Sequence, residues 1–411
     1  MKILNFGSCN VDYVYSLDHI VTVGETASVD GMEKFPGGKG LNQSIAVARA
    51  GGQIWHAGCI GQDGAFLADL LAESCVNIDY LKRVEGPNGQ AIIQVDKNGE
   101  NCIFIYHGSN AMVDRPFVDE VLSHFGEGDI ILLQNEISNV PYIIEQASRK
   151  GMQIVFNPSP FYEELREMDL NRISYLVLNE VEAKGFSGQD DPQEFLRYMR
   201  DRHPRLRVML TLGKGGCIYS EGGENYYHPA YRVEAVDTTA AGDTFTGYFV
   251  ALLANGLPYT DILRYASMAS GIAVSRKGAA PSIPMLAEVE AAAATLLPYE
   301  AINENRATKQ KKKILSYIED GLSEATLDGL AREMGYSLQY TGTLAKRLLG
   351  VSFSELLQEK RCAAAAKLLK KTDLSVQEII HRVGYKNESF FREIFKAHYG
   401  ASPLAYRKTN K

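Results

Sequence analysis

The sequence predicts an α/β fold, a mostly parallel sheet flanked by helices with a small β lid, followed by an all-α double helix-turn-helix domain. Three observations carry that prediction. Up to about residue 297, short apolar runs alternate with amphipathic stretches, the pattern of strands buried on both faces between covering helices. Two regions, 11–35 and 89–106, break this alternation. Beyond about residue 310 the pattern is wholly helical and the charge changes sign. Residues 306–411 carry 20 Lys+Arg against 11 Asp+Glu, a net of +9, which leaves 23 against 39, a net of −16, for residues 1–305. At 411 residues the chain also exceeds the ~250–300 at which a single core stops growing, so two domains are expected.

The elements follow in order. MKILNFGSCNVDYVY reads as a first strand rather than a signal peptide. Ile130–Gln134, Ile154–Phe156, Tyr175–Leu178 and Val208–Leu212 are short and apolar enough to be buried strands, with amphipathic helices such as 142–150 and 192–202 between them. Gln90–Val95 and Asn101–Tyr106 flank Asp96-Lys-Asn-Gly99, a hairpin by its turn chemistry. Such strands suit a small sheet that covers a site or pairs two subunits, which makes a homodimer through the lid strands the expected assembly. Residues 298–313 are polar with few apolar anchors, and divide a domain over 1–297 from one over 314–411.

Composition narrows the class. No run approaches the ~18 uninterrupted apolar residues of a membrane span. The six cysteines are scattered with no CxxC pair, which fits free thiols in a cytoplasmic protein better than disulfides or a zinc site. The acidic first part and basic last part make the tail a candidate for binding a polyanion.

The chemistry concentrates in Asp237-Thr-Thr-Ala-Ala-Gly-Asp-Thr-Phe-Thr-Gly247. Small residues up to Gly242 can bare backbone N–H groups where a helix beginning near Asp243 is partially positive. Asp243 then sits within reach as a base for phosphoryl transfer. Phe35-Pro-Gly-Gly-Lys-Gly-Leu-Asn-Gln43 leads into a small-residue helix over 44–50. It is not a Walker A loop, because neither Gly38-Lys39 nor Gly213-Lys214 precedes Ser or Thr, and it lacks the last glycine of a dinucleotide fingerprint. Asn10 and Asp12 after the first strand, Glu136, Asn179-Glu-Val-Glu182 and Thr211-Leu-Gly-Lys-Gly-Gly216 each follow a predicted strand, where open α/β sheets bind ligands.

On these two motifs, in this order and spacing, residues 1–297 resemble the ribokinase family of carbohydrate kinases. The resemblance implies an ATP-dependent sugar kinase, with D-ribose the leading sugar. It implies Asp243 as catalytic base and Ala240, Ala241 and Gly242 as an anion hole. Asn10, Asp12, Gly38, Lys39, Asn42 and Glu136 match sugar-holding positions. Asn179 and Glu182 match the motif that organises nucleotide phosphate and hydrated Mg²⁺, and Thr211, Gly213 and Gly216 match the nucleotide-binding turn. Asp237, Thr239, Ala273, Arg276, Gly278 and Ser282 match a K⁺ loop. Asn88-Gly-Gln90 and Tyr106-His107 depart from the family pattern beside the lid, which leaves other pentoses, ketoses or nucleosides as alternatives.

The tail repeats one design twice, a short helix, a glycine-containing turn and a second helix, over 326–350 and 375–396, joined by an alanine-rich helix from about Ser354 to Lys370. It resembles the DNA-binding domain of the arabinose-regulator (AraC-type) family, down to the closing Tyr399-Gly-Ala-Ser-Pro-Leu-Ala-Tyr-Arg407. The resemblance implies double-stranded DNA as partner. Gln339, Thr343, Asn387, Glu388 and Arg392 are then candidate base readers, and Lys346, Arg347 and Lys396 candidate phosphate contacts. Thr341-Gly342 inside the first recognition helix makes that unit the weaker match. A sugar-sensing transcription factor with little turnover is the alternative reading from another class.

Overall fold

The computed structural model describes residues 1–97, 100–334 and 338–410, without the side chains of 299–309, 339, 340 and 347. The chain divides into two compact units, Met1–Tyr299 and Glu300–Lys411. Asn98-Gly99 of the expected hairpin turn lie outside the described residues.

The first unit is built on a nine-stranded sheet. From one edge its order is Glu224–His228, Cys217–Glu221, Arg207–Thr211, Tyr175–Asn179, Gln153–Asn157, Ile130–Gln134, Ile3–Phe6, Ile54–Ile60 and Asn77–Arg83. All neighbours are parallel except at the first edge, where Cys217–Glu221 runs antiparallel to both its neighbours. Both faces are buried, as the apolar runs require. Ile3, Ile130 and Leu132 face one core, while Leu4, Phe6, Ile131 and Leu133 face the other.

A second sheet, ordered Gly31–Gly37, Asn10–Ser16, Gly89–Val95 and Asn101–Tyr106, forms the expected lid. Asn10 therefore opens a lid strand, in register with Gly37 on one side and Gly89 on the other, rather than ending the first strand of the main sheet. The outermost lid strand exposes Ile103, Phe104, Ile105 and Tyr106 by 40–52%.

Two helices deliver the site. Lys39–Arg49 begins five residues earlier than the sequence pattern indicates, because Gly38, at φ 94°, turns the chain straight into it. Lys39 and Asn42 thus belong to its first turns. Ala241–Ala254 packs directly on this helix. A Cβ at Gly247 would lie 2.3 Å from that of Ala46 and 2.8 Å from the Gln43 carbonyl oxygen, so only glycine permits this approach.

The helices that lead through the second unit begin at the boundary residue Tyr299, upstream of the expected 314: a helix over Tyr299–Asp320 spans most of the segment expected as linker. It is followed by Leu327–Met334, Leu338–Leu349, Phe353–Lys371, Val376–Arg382, Glu388–Tyr399 and Pro403–Asn410. The long Phe353–Lys371 helix contributes Phe353 and Leu357 to one small core, and Cys362, Ala365, Ala366 and Leu369 to a second. Each helix-turn-helix thus has its own core on a shared spine. No described helix is long and apolar enough to cross a membrane.

Candidate active site and nucleic-acid interface

Asp243 is the third residue of the Ala241–Ala254 helix and only 6% exposed. Asn42 Nδ2 donates to its Oδ2 at 3.1 Å and Gln43 Nε2 to its Oδ1 at 2.9 Å. Burial pushes its carboxyl above the usual carboxylate range, against the pull of the Lys39 charge and of these two amides. The result is a fixed, water-poor carboxylate beside a lysine, the state a proton acceptor needs.

Around it the sugar-matched residues converge. Glu136 is buried and accepts from the Ser8 hydroxyl and from the Lys39 backbone N–H at 3.0 Å. Burial also pushes the Glu136 carboxyl up. Lys39 stands among Asp243, Glu136 and Glu182; burial works against its charge, yet these carboxylates hold its ammonium above the ordinary range. Asp12 is pushed up to about 7 by burial and then by the charges of Glu136 and Asp243. Asp12 Oδ1 and Asn42 Oδ1 are both buried without a protein partner, which marks them as acceptors for hydroxyl donors. Gly38 caps the helix that carries Lys39 and Asn42.

Two cavities meet at Gly242. One, about 180 Å³, is lined by Lys39, Asn157, Asn179, Glu182, Thr211 and Asp243 among others. The second, about 360 Å³, is largely apolar, with Gly213, Gly216, Tyr231, Val233, Phe245 and Val274 in its wall. Asn179, Thr211 and Gly242 line both. Of the expected anion hole, Ala240 is buried and Ala241 donates its N–H to the Thr238 carbonyl at 3.2 Å, a turn bond that precedes the helix. Gly242 is the exposed member of the set. Asn179 and Glu182 form a reciprocal capping box: Asn179 Oδ1 accepts from the Val181 and Glu182 N–H groups, and Glu182 Oε2 from the Asn179 N–H.

The cation-loop residues are drawn together by Asp237. Its Oδ1 accepts from the Thr239 N–H and hydroxyl, and its Oδ2 from the Gly278 N–H at 2.9 Å. Burial opposes its charge, but these donors hold the carboxyl below the usual range. The Ala273 carbonyl accepts from the Arg276 N–H, the Arg276 guanidinium pairs with Glu288 at 2.6 Å, and Ser282 is buried on the Ala279 carbonyl. The carboxylate is thus tied to the backbone N–H groups and a hydroxyl of the two segments it joins. No cluster of three or more His, Cys, Asp or Glu able to hold a metal occurs among the described residues.

The sequence reading missed the polar layer beneath the base. Gln43 Nε2 also donates to Asn157 Oδ1, Gln134 Nε2 donates to Gln43 Oε1 and Asn5 Oδ1, and Asn5 Nδ2 donates to Ser44 Oγ. Its signal was present: Asn5, Gln134 and Asn157 each interrupt or close an apolar strand. Asn88 and Asn110, both fully buried beside the lid, were likewise passed over as site residues.

In the second unit, Asn387 caps the Glu388–Tyr399 helix by accepting from the Phe390 N–H at 3.0 Å, so its side chain carries a structural duty. Glu388 and Arg392 pair at 3.5 Å, and Lys396 follows on the same exposed face. Thr343 and Lys346 are exposed on Leu338–Leu349; the side chains of Gln339 and Arg347 lie outside the described residues.

Comparison with known proteins agrees with both halves. Residues 1–286 match the model of the pfkB family carbohydrate kinases, and residues 330–409 match a helix-turn-helix domain of the AraC type. The ribokinase of Schizosaccharomyces pombe is 36% identical over 309 residues, covering 71% of this chain and 97% of that protein. A crystal structure of ribokinase from Cryptococcus neoformans in complex with ADP superposes with a TM-score of 0.62 at 35% identity, over 71% of this chain and 99% of that one. Arabidopsis thaliana ribokinase complexed with ribose and ATP gives 0.62 at 27% identity, over 70% and 97%.

Proposed function

The chain belongs to the pfkB family of carbohydrate kinases, here fused to an AraC-type helix-turn-helix domain, and from that premise we propose that it phosphorylates D-ribose on O5 with ATP. The observation that carries this reading is Asp243, held by Asn42 and Gln43 at the junction of a polar and an apolar cavity. Asp243 takes the proton of the sugar's primary hydroxyl as that oxygen bonds to the γ-phosphorus and the bond to the β–γ bridging oxygen breaks, releasing ADP. Lys39 faces the charge that develops, and Gly242 offers its N–H at the positive end of the helix. Asp12, Asn42, Asn10 and Glu136 orient the sugar. The apolar cavity takes the nucleoside, with Thr211, Gly213 and Gly216 at its turn.

Asn179 and Glu182 would hold hydrated Mg²⁺, and Asp237, Thr239, Ala273, Arg276, Gly278 and Ser282 would hold K⁺. These ions supply positive charge beside the phosphates. The exposed Ile103–Tyr106 edge supports a homodimer through the lid strands. The assignment of the kinase to 1–297, a connector over 298–313 and DNA binding to 314–411, in a cytoplasmic protein, completes the proposal. Double-stranded DNA is read by the helix bearing Glu388, Arg392 and Lys396 and by its counterpart bearing Gln339, Thr343, Lys346 and Arg347.

The test is ADP release by the whole chain from MgATP with pentoses, hexoses and nucleosides, with and without K⁺. Turnover that is fastest with D-ribose and raised by K⁺ is expected. Tight sugar binding without turnover would replace this reading with that of a sensor.

A further inference from the structure

Asn10 opens a lid strand and is 4% exposed, so which end of its amide meets a substrate decides what that wall of the pocket offers. The answer follows from a backbone group. The Cys9 N–H can only donate, and it does so to an amide atom of Asn110 at 3.1 Å, which must be Oδ1. The other end of Asn110, Nδ2, can only donate in turn. It lies 2.7 Å from an amide atom of Asn10, which must therefore be the Asn10 oxygen. The Asn10 NH₂ is the end left over.

The neighbours leave no freedom for a different arrangement. Asn110 is 1% exposed and sits in the short helix Gly108–Met112, just after the lid. Asn88, at the lid's other root, donates Nδ2 to the Cys9 carbonyl at 2.6 Å, so the Cys9 residue is pinned at both its N–H and its carbonyl. Gly89 closes the cage. A Cβ there would lie 2.2 Å from Asn110 Nδ2 and 2.4 Å from Asn10 Oδ1, so the contact exists only because the position is glycine.

We infer that Asn110 is a positioning residue for the sugar: it locks Asn10 as a pure hydrogen-bond donor toward the substrate. Asp12, two residues along the same strand, shares that face and supplies acceptors. The wall is then polarised, with donors at Asn10 and acceptors at Asp12. It favours a hydroxyl that accepts a hydrogen bond from Asn10 while donating one to a carboxylate, and it penalises a deoxy position that leaves the Asn10 NH₂ unpaired. This rests on the sugar-kinase reading above.

The test compares N110D, N110A and G89A with the wild-type whole chain, by titration calorimetry of D-ribose and 2-deoxy-D-ribose and by steady-state kinetics. N110D keeps the acceptor for the Cys9 N–H but turns a carboxylate toward Asn10, which would flip to present its oxygen to the sugar. The near-isosteric N110D should therefore raise the sugar KM more than the truncation N110A does, by tenfold or more. The KM for ATP and kcat at saturating sugar should stay within about threefold. Lowering the pH until the new carboxyl protonates should close the gap to the wild type measured at the same pH, because an O–H can again donate to Asn10 while the Asp12 titration is common to both chains. G89A should reproduce the sugar defect, and it stands in if N110D does not fold. All three variants should narrow the ribose-to-deoxyribose preference. N110A as damaging as N110D, or an unchanged preference in G89A, would overturn the inference. A wild-type chain that binds no sugar would remove the substrate reading instead, and this one with it.

Discussion

In the kinase unit the polar groups around the base are buried and tied to one another across long stretches of sequence, 35 residues for Asn5 to Gly40 and 201 for Asn42 to Asp243. In the helical unit the residues of the second recognition helix that face outward are tied only to neighbours three or four positions away, Asn387 to Phe390 and Glu388 to Arg392. The first arrangement positions atoms for a reaction and makes fold and function inseparable. The second leaves side chains free to rearrange on a ligand, with the fold secured elsewhere. A chain that joins them should lose its two functions by different routes.

The largest effect should come from Asp243→Asn. The amide keeps the shape but cannot take a proton, and its NH₂ now faces one of the two donors, Asn42 or Gln43. Turnover should fall by about 10³-fold, within the range for loss of a general base. Binding of an operator fragment, followed by mobility shift, should not change. Loss of DNA binding by a variant that melts like the wild type would show that the second unit depends on chemistry in the first, and the separation would fail.

The same contrast explains what could be read from sequence. Asp243 and the Gly37–Gln43 run were legible because a helix N-terminus and a glycine-rich approach are local features, and the tail's two helix pairs were legible because each repeats a short helix, a glycine-containing turn and a second helix. The layer made by Asn5, Gln134, Gln43 and Asn157 was not, because it exists only when three strands and a helix are assembled. Nor was the capping duty of Asn179 and Glu182 separable from their expected place at the phosphates, since one Asn-x-x-Glu spacing serves both. The start of the helix at Tyr299 was hidden by a polar composition that reads equally as a connector.

Away from the recognition helix the helical unit also has long-range ties, and two arginines sharpen the point. Arg361 is partly buried and donates to the carbonyls of Leu322 at 2.9 Å, Ser323 at 3.1 Å and Ala325 at 3.3 Å, 36 to 39 residues away, while its guanidinium lies 5.5 Å from the Tyr385 ring centroid. It clasps the first helix-turn-helix to the second across their shared spine. Arg361→Ala should cost about 2 kcal/mol, the scale of hydrogen bonds from a charged group, and should weaken DNA binding through loss of spacing. Arg392→Ala should change stability by less than about 0.5 kcal/mol, as exposed i,i+4 pairs do, yet weaken and relax DNA recognition. Chemical denaturation with a DNA titration on each variant checks both. Equal losses of stability would erase the distinction.

Acid should act with opposite sign on the buried carboxyls around the base and on the capping carboxyls of the helical unit. In the kinase unit Asp12 is pushed up to about 7, by burial first and then by Glu136 and Asp243, and the Glu136 and Asp243 carboxyls are raised too. A raised carboxyl binds its proton better folded than unfolded. Its stabilising contribution is therefore complete below the unfolded value near 4 and is lost as pH climbs through the folded one, here about 7 for Asp12. Catalysis runs the other way, because only ionised Asp12 is a full acceptor for sugar hydroxyls. The kcat/KM for sugar should fall by up to about tenfold per unit below pH 7 while the contribution of Asp12 to stability grows. In the helical unit the capping carboxyls of Glu355, held by the Ser352 N–H and hydroxyl, and of Glu378, held by the Ser375 hydroxyl and N–H, are lowered. Their contribution is present above the unfolded value and disappears as pH falls through the folded one. The chain's single tryptophan, Trp55, lies in the main sheet of the kinase unit, so its fluorescence follows that unit alone while far-ultraviolet dichroism follows both. The same unit also holds groups of the opposite sign, the buried His56 ring, pushed down to about 4 by burial, and the lowered Asp237 carboxyl, so the Asp12 share is read as a difference: the Trp55 melting temperature of Asp12→Asn minus that of the wild type should fall as the pH drops from 7 to 4. Below that range the dichroism transition should move down. A difference that does not fall would mean that the Asp12 carboxylate is stabilised by its partners rather than strained by burial, and the contrast between the two surfaces would collapse.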